Sequence, residues 1–525
     1  LIRETATLPA HTLNAAQLCT LEALLNGSLS PLCGYMDEAN YLSVLASQRL
    51  ISGLAMPVPL TLAVSQATLD SLGEGDQLLL RDEEGTPLAL LAVSGFYRPD
   101  KLAEARVLFG SDHLQDPAVG ALLATDEFYV AGKLDGIQLP KHYDFTHWRQ
   151  QPTQIRAAAN EGELLGFASV FPAFGGLEGQ LAALAAQLKM KLLIGFAAGS
   201  DALEPVPYAV RARLANSFVK RLATVDASAV LLPLERVAAS PRDLLLRILV
   251  LRNYGCTAVA VEQAAESPEA LALVGDFAEV CGIAVHLLAP QAWSAQDTAW
   301  VNAHGQVAEN ALDSRSLFEH LVSGLPLLPW MVHPQDITDL GQAFPPRAQQ
   351  GLVLFFTGLS GAGKSTVAKA LTAALGAYRR PVTLLDGDIV RLNLSKGLGF
   401  SKEDRDLNIM RIGYVASLVA RSGGLAICAP IAPYRKTRAA VRRLMGNHGR
   451  FVEVHVATDL AVCESRDPKG LYARARAGLL KGFTGIDDPY EAPEDPELRL
   501  DTGKLSVAES IETVLSWLSA EGYLN

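Results

Sequence analysis

The stretch GLVLFFTGLSGAGKSTVAKALTAAL, residues 351–375, constrains the fold of this chain more than any other. An apolar run passes through G-x-x-x-x-G-K-S, Gly358 to Ser365, into an amphipathic segment. That order predicts a buried strand, a glycine-rich turn and a helix, the context a P-loop requires. Its glycines let backbone N–H groups curl around nucleotide phosphates at the positive end of the helix. ATP is therefore expected on Gly358, Leu359, Ser360, Gly361, Ala362, Gly363, Lys364, Ser365 and Thr366. Lys364 should reach the β/γ-phosphates, and the Ser365 hydroxyl should ligate Mg²⁺.

A second apolar strand, VTLLD, puts Asp386 and Asp388 at its carboxyl end, where open α/β sheets bind ligands. Two carboxylates beside Mg-ATP suit metal–water contacts and deprotonation of an acceptor hydroxyl. Arg391, Arg405 and Arg411 offer a clamp for a second, anionic substrate, since guanidinium forks match phosphate or sulfate oxygens. Further on, CESRDPKGLYARARAGLLKGFTGIDDPYEAPEDPEL joins a basic helix to a Gly-flanked Phe and a Pro-rich acidic run, the pattern of a mobile lid.

The remaining length asks for more than this one domain. At about 150 residues per domain, 525 residues predict three or four. A chain 49% hydrophobic and 19% charged is globular, which excludes disordered, collagen-like and disulfide-stapled classes. No apolar stretch has the length of a membrane span. The opening LIRETATLPAH lacks a basic start followed by an apolar run, so no secretory signal is read and a cytoplasmic location is expected. Six scattered cysteines without a CxxC pair read as reduced, buried thiols and not as a zinc site.

A net charge of −11 argues against nucleic acid as a partner, but its distribution is uneven. Residues 351–525 carry 23 Lys+Arg against 19 Asp+Glu, a net of +4, leaving −15 for the first 350. Handling several phosphates needs positive charge, so the C-terminal third is the better candidate.

The predicted organisation is a multidomain α/β chain. Residues 1–131 read as a β-rich domain of short strands and turns. In 132–332 the strand-like runs KLLIGFA, AVLLPL, TAVAVE and IAVHLL alternate with the helical stretches LEGQLAALAAQLK and SPRDLLLRILVLRNYG. Such alternation predicts a parallel sheet wrapped by helices. Residues 333–350 are polar and contain Pro, and read as a linker before the P-loop domain, 351–525.

Residues 351–525 resemble adenylylsulfate (APS) kinases throughout, in TGLSGAGKST, LDGDIVR, GLGF, RDLNIMRI, APYR, FVEVHV and the whole lid string. The resemblance implies transfer of the γ-phosphoryl of Mg-ATP to the 3′-hydroxyl of adenylyl sulfate, giving PAPS (3′-phosphoadenylyl sulfate) and ADP. It implies that Asp388 is the base, with Lys364 and Asp386 in the catalytic set, and that Asp386 holds Mg²⁺ through water. By the same resemblance Arg391, Arg405, Asn408, Ile431 and Lys469 contact adenylyl sulfate, Phe400 and Phe483 sandwich its adenine, and Arg474 serves ATP from the lid. Some family members carry a phosphorylatable Ser before Pro-Tyr-Arg. Here that residue is Ala432, which leaves direct in-line transfer.

Residues 15–330 resemble ATP sulfurylases, in LNGSLSPLCGYMDEANYLSVL, MPVPLTL, VLFGSD, GKLDGIQLP, YDFTHWRQQPTQIR and LRNYGCT. That implies a PUA-like N-terminal domain, a Rossmann-like α/β domain and a homo-oligomer, a hexamer, held by this part of the chain. The family's Q-x-R-N-P-x-H-x-x-H segment, which holds sulfate and the nucleotide phosphates, is absent. Ala168, Val170, Phe171, Phe174 and Leu177 stand where Gln, Arg, Asn and two His belong. The family's His-Pro is Gly195-Phe196, an expected Arg is Val237, and Gly-Arg-Asp-His-Ala-Gly reads EQAAES, residues 262–267. These losses favour an APS kinase on a sulfurylase-like scaffold without sulfurylase activity. A bifunctional PAPS synthase, or a first 330 residues that bind a regulatory nucleotide or serve only as an oligomerisation platform, stay open at this point.

Overall fold

A computed structural model describes residues 8–113, 116–159, 163–168, 175–199, 206–222, 224–237, 240–295, 299–302, 312, 314–322, 325–378, 380–399, 401–445 and 449–524. The chain divides into two compact units, residues 1–343 and 344–525. Each unit has its own core.

The first unit opens with strands β1 (Ala10–Thr12), β2 (Gly34–Tyr35), β3 (Leu62–Val64), β4 (Gln77–Arg81), β5 (Pro87–Tyr97) and β6 (Phe128–Gly136). They form one sheet in the order β1-β4-β5-β6-β2, with β3 also on β6. Only the β1–β4 pair is parallel. The break read at 131/132 falls inside β6, so this domain extends through Gly136. Gly132 suggested that break, yet it is a packing position. A Cβ there would lie 2.3 Å from the Ala92 carbonyl oxygen across the β5–β6 pair.

The second sheet follows the expected alternation. β7 (Leu164–Ala168), β8 (Lys191–Ala197), β9 (Ala227–Leu232), β10 (Ala258–Glu262) and β11 (Ala284–Leu288) make a parallel sheet in the order β11-β10-β7-β8-β9. β12 (Gln291–Ser294) and β13 (Ala299–Asn302) pair antiparallel as a separate two-stranded sheet. The helix Asp243–Asn253 is buried on nearly every face, which its apolar sequence DLLLRILVL allows. It joins the two halves of the unit into one core. Asn253 Nδ2 donates to the carbonyls of Ser28 and Ser30, both at 2.9 Å.

The stretch read as a linker is largely structured. Pro334–Ala343 is a helix of the first unit, with Leu340 and Asp336 fully buried. Asp336 pairs with Arg221 at 2.9 Å. Asp336 is a buried ion-pair partner, and Asp339, half-buried, meets Arg213 at 2.5 Å, so the stretch is helix and not linker, which leaves 344–350 as the connection. The cysteines are all free, and five of the six are buried; Cys33 is exposed.

In the second unit β14 (Leu352–Thr357), β15 (Val382–Asp386), β16 (Leu425–Ala429), β17 (Arg450–Val456) and β18 (Leu498–Leu500) are all parallel, in the order β15-β16-β14-β17-β18. Every residue of β14 and β16 is buried, as strands covered by helices on both faces must be. Because β14 sits centrally and the chain winds to one side of it and then to the other, a crevice opens at the carboxyl edge. No helix among the described residues is long and apolar enough to cross a membrane.

Candidate functional site

A cavity of about 1140 Å³ occupies that carboxyl edge, lined by the segments that leave β14, β15, β16 and β18. The first of them is the glycine loop, residues 358–363, between β14 and the helix Lys364–Leu375. Gly361 has φ +74°, and a Cβ on it would lie 2.9 Å from the Cys463 carbonyl oxygen. No other residue fits there.

The loop is braced from behind through its carbonyls. Tyr472 Oη donates to Ser360 O at 2.9 Å, and Thr502 Oγ1 to Ala362 O at 2.8 Å. Lys364 Nζ donates to Gly358 O and Leu359 O at 2.9 and 2.7 Å. The ammonium is thus buried against carbonyl oxygens at the start of a helix, where a phosphate would compete for it. Ser365 and Thr366 follow on the cavity side.

Asp386 ends β15, 5% exposed, and lines the cavity with Ser365. Lys369 Nζ approaches its carboxylate at 3.7 Å. The next turn, Gly387–Asn393, is helical and carries Asp388, whose side chain lies outside the described part. Arg391 Nη1 donates to the carbonyls of Leu398 and Gly399. Phe400 lies outside the described residues.

The cavity wall continues on the helix Lys402–Arg421, whose first turn is capped by Ser401. Arg405 and Asn408, one turn apart on this helix, both reach the cavity. Arg405 Nε and Asn408 Oδ1 are buried there without a hydrogen-bond partner among the described residues. A buried donor and a buried acceptor without partners cost stability unless a ligand meets them.

Ile431, Lys469, Arg474 and Phe483 also line the cavity. Phe483 packs edge-on against Tyr472, centroids 5.0 Å apart. Its turn is pinned by Asp487, whose carboxylate accepts from the N–H groups of Gly482 and Phe483 at 2.6 Å each. These bonds hold the Asp487 carboxyl below the ordinary range. Ala432 is buried with φ +46°, and its carbonyl accepts from Arg438 and Thr357. Arg411 departs from the expected clamp. Its Nη1 donates to the Leu394 carbonyl, and it does not line the cavity. Sequence reasoning missed Tyr472, Thr502 and Tyr434, because each meets the site through partners remote in sequence.

In the first unit, several positions where the sulfurylase resemblance expects polar residues are described. Val170, Phe171 and Phe174 lie outside the described residues, and at Ala168 only the strand end is described. Leu177 is fully buried. A Cβ on Gly195 would lie 2.8 Å from Leu232, and Phe196 packs edge-on against Trp148. Val237 packs against the core. Two nearby guanidinium groups face acid: Arg236 and Arg247 both meet the buried Asp243, at 2.7 and 3.0 Å, and Arg247 meets Glu266 at 2.6 Å. Among the described residues no cluster of three His, Cys, Asp or Glu is set to hold a metal.

Family models match in three places: a PUA-like domain over residues 1–139, ATP-sulfurylase over 147–337 and adenylylsulphate kinase over 350–501. A sulfate adenylyltransferase of Chaetomium globosum is 36% identical, over 99% of this chain and 95% of that protein. One of Neurospora crassa is 34% identical with the same coverage. A solved structure described as a hexameric APS kinase from Thiobacillus denitrificans aligns at 33% identity with a TM-score of 0.73, over 100% of this chain and 96% of that one.

Proposed function

The chain belongs to the bifunctional ATP sulfurylase/APS kinase family and carries an APS kinase domain, and from that premise we propose that its working activity is the kinase alone. The reaction is transfer of the γ-phosphoryl of ATP to the 3′-hydroxyl of adenylyl sulfate. The observation that carries this reading is the open pair Arg405 Nε and Asn408 Oδ1, buried in the same cavity as the glycine loop. One cavity thus has a phosphate cradle and a second polar site.

The loop amides and Lys364 receive the ATP phosphates, Lys364 exchanging carbonyl oxygens for phosphate oxygens. Ser365 and Asp386 supply the hard oxygen donors a divalent cation takes beside phosphates and water. When bound, Mg²⁺ neutralises charge on the phosphates. Arg391, Arg405, Asn408, Ile431, Lys469 and Phe483 hold adenylyl sulfate, and Arg474 adds charge on the ATP side. Asp388 takes the proton from the 3′-hydroxyl as the O–Pγ bond forms and the bond from Pγ to the ADP oxygen breaks. Ala432 offers no hydroxyl for a phosphoenzyme, so the transfer is direct.

The sulfurylase half is proposed to be silent. Sulfate attack on the α-phosphorus needs donors for sulfate and for leaving pyrophosphate, and Leu177, Phe196 and Val237 supply none. The nearby Arg236 and Arg247 are neutralised by Asp243 and Glu266. Incubating the intact chain with Mg-ATP and adenylyl sulfate should give PAPS and ADP. Failure to form PAPS would end the kinase reading.

A further inference from the structure

Arg405 is held by a second layer of groups that the reaction scheme has not used. Its Nη1 donates to Asp488 Oδ2 at 2.9 Å and to Thr484 Oγ1 at 3.0 Å. Its Nη2 donates to Tyr434 Oη at 2.8 Å. The Tyr434 hydroxyl in turn donates to Asp488 at 2.9 Å. The tyrosine ring also carries two cations, Lys402 at 4.9 Å and Arg405 at 5.5 Å from its centroid.

This arrangement fixes one end of the guanidinium and leaves Nε as the donor still open in the cavity. Arg405 and Asp488 are 14% and 18% exposed, so the pair is largely out of water. A guanidinium buried to that degree needs a counter-charge to stay ordered. Asp488 supplies it from the turn whose other aspartate, Asp487, pins Phe483. The adjacent carboxylates therefore set two cavity groups at once, an aromatic face and a charged donor.

We infer that Asp488 and Tyr434 are positioning residues for the acceptor nucleotide: they orient Arg405 toward the anionic end of adenylyl sulfate without touching the reacting atoms. The inference rests on the kinase reading above.

The test is steady-state kinetics of the full chain with each substrate varied in turn, with calorimetric binding of adenylyl sulfate in the presence of ADP. Asp488→Asn should raise KM for adenylyl sulfate about tenfold, the size of one lost charge-assisted contact. KM for ATP and kcat should stay within about threefold, as expected when only acceptor binding is lost. In an Arg405→Ala background Asp488→Asn should add almost nothing, because the group it positions is gone. Tyr434→Phe removes only the hydroxyl and should move the same KM in the same direction, which carries the test if Asp488→Asn fails to fold. Wild-type turnover combined with an unchanged or lowered KM in the variants overturns the inference alone; a lowered KM would show Asp488 competing with substrate. A wild-type chain that neither forms PAPS nor binds adenylyl sulfate overturns the kinase reading and this inference together.

Discussion

Lys364 Nζ sits on the carbonyl oxygens of Gly358 and Leu359. Its charge is therefore held at the phosphate cradle, and Lys364→Ala should lower kcat by about 10²-fold or more, the usual cost of a lost transition-state charge contact. Near-native turnover in that variant would refute the assignment. His455 gives a pH prediction. Burial first, then Arg499 and Arg438, lowers its pKa from 6.5 to about 4. The unfolded chain takes up that proton near pH 6.5, so the contribution to stability is complete above 6.5 and is lost as pH falls toward 4. The loss is about 3 kcal/mol. Calorimetric unfolding should show a flatter pH dependence between 6.5 and 4.5 for His455→Gln than for the wild type; parallel curves would exclude this role. At this scale the sequence was legible where chemistry is local: a glycine loop announces itself within eight positions. Asp488 was not legible, because its partner Arg405 is 83 residues away and only the fold brings them together.

Among elements, β8–β11 of the first parallel sheet and β14 and β15 of the second were readable from their apolar runs, and the helix Pro334–Ala343 was not. Its polar face hides Asp336, paired with Arg221, and polar composition alone cannot tell a buried ion pair from solvent. Arg242 shows a related disguise. It is 7% exposed and donates to Val44 O and Leu45 O, carbonyls in the last turn of the helix Glu38–Ser47, and to Pro57 O. A side chain from the α/β sheet region thus caps a helix of the N-terminal domain. Arg242→Ala should take the donor from Leu45 O and Pro57 O, while Val44 O keeps the Gln48 N–H, and destabilise the first unit by about 2 kcal/mol. Four of the five tryptophans, Trp148, Trp293, Trp300 and Trp330, lie in that unit, so denaturant unfolding followed by fluorescence reads it directly. An unchanged midpoint would deny the cap its role.

For the whole molecule, a silent sulfurylase half predicts that ATP and sulfate alone release no pyrophosphate. The assay should be coupled to the chain's own kinase step so that adenylyl sulfate cannot accumulate. Sulfate-dependent release near one turnover per second, on the order of an ordinary enzyme rate, would restore the bifunctional reading. The relative described as hexameric motivates a second expectation: light scattering should give about six times the 56.0 kDa chain mass, and a monomer would end that idea. One further feature speaks to how such a chain can be assembled and reassembled. Arg347 Nη1 donates to the carbonyl of Glu521, and Arg380 Nη1 to that of Tyr523, so the entry and the exit of the kinase unit are fastened at one spot. A module whose two ends meet can be spliced onto either terminus of another protein, or opened at a new point and rejoined, without stretching its interior. The kinase unit is in that sense a cartridge, fastened by its own two ends.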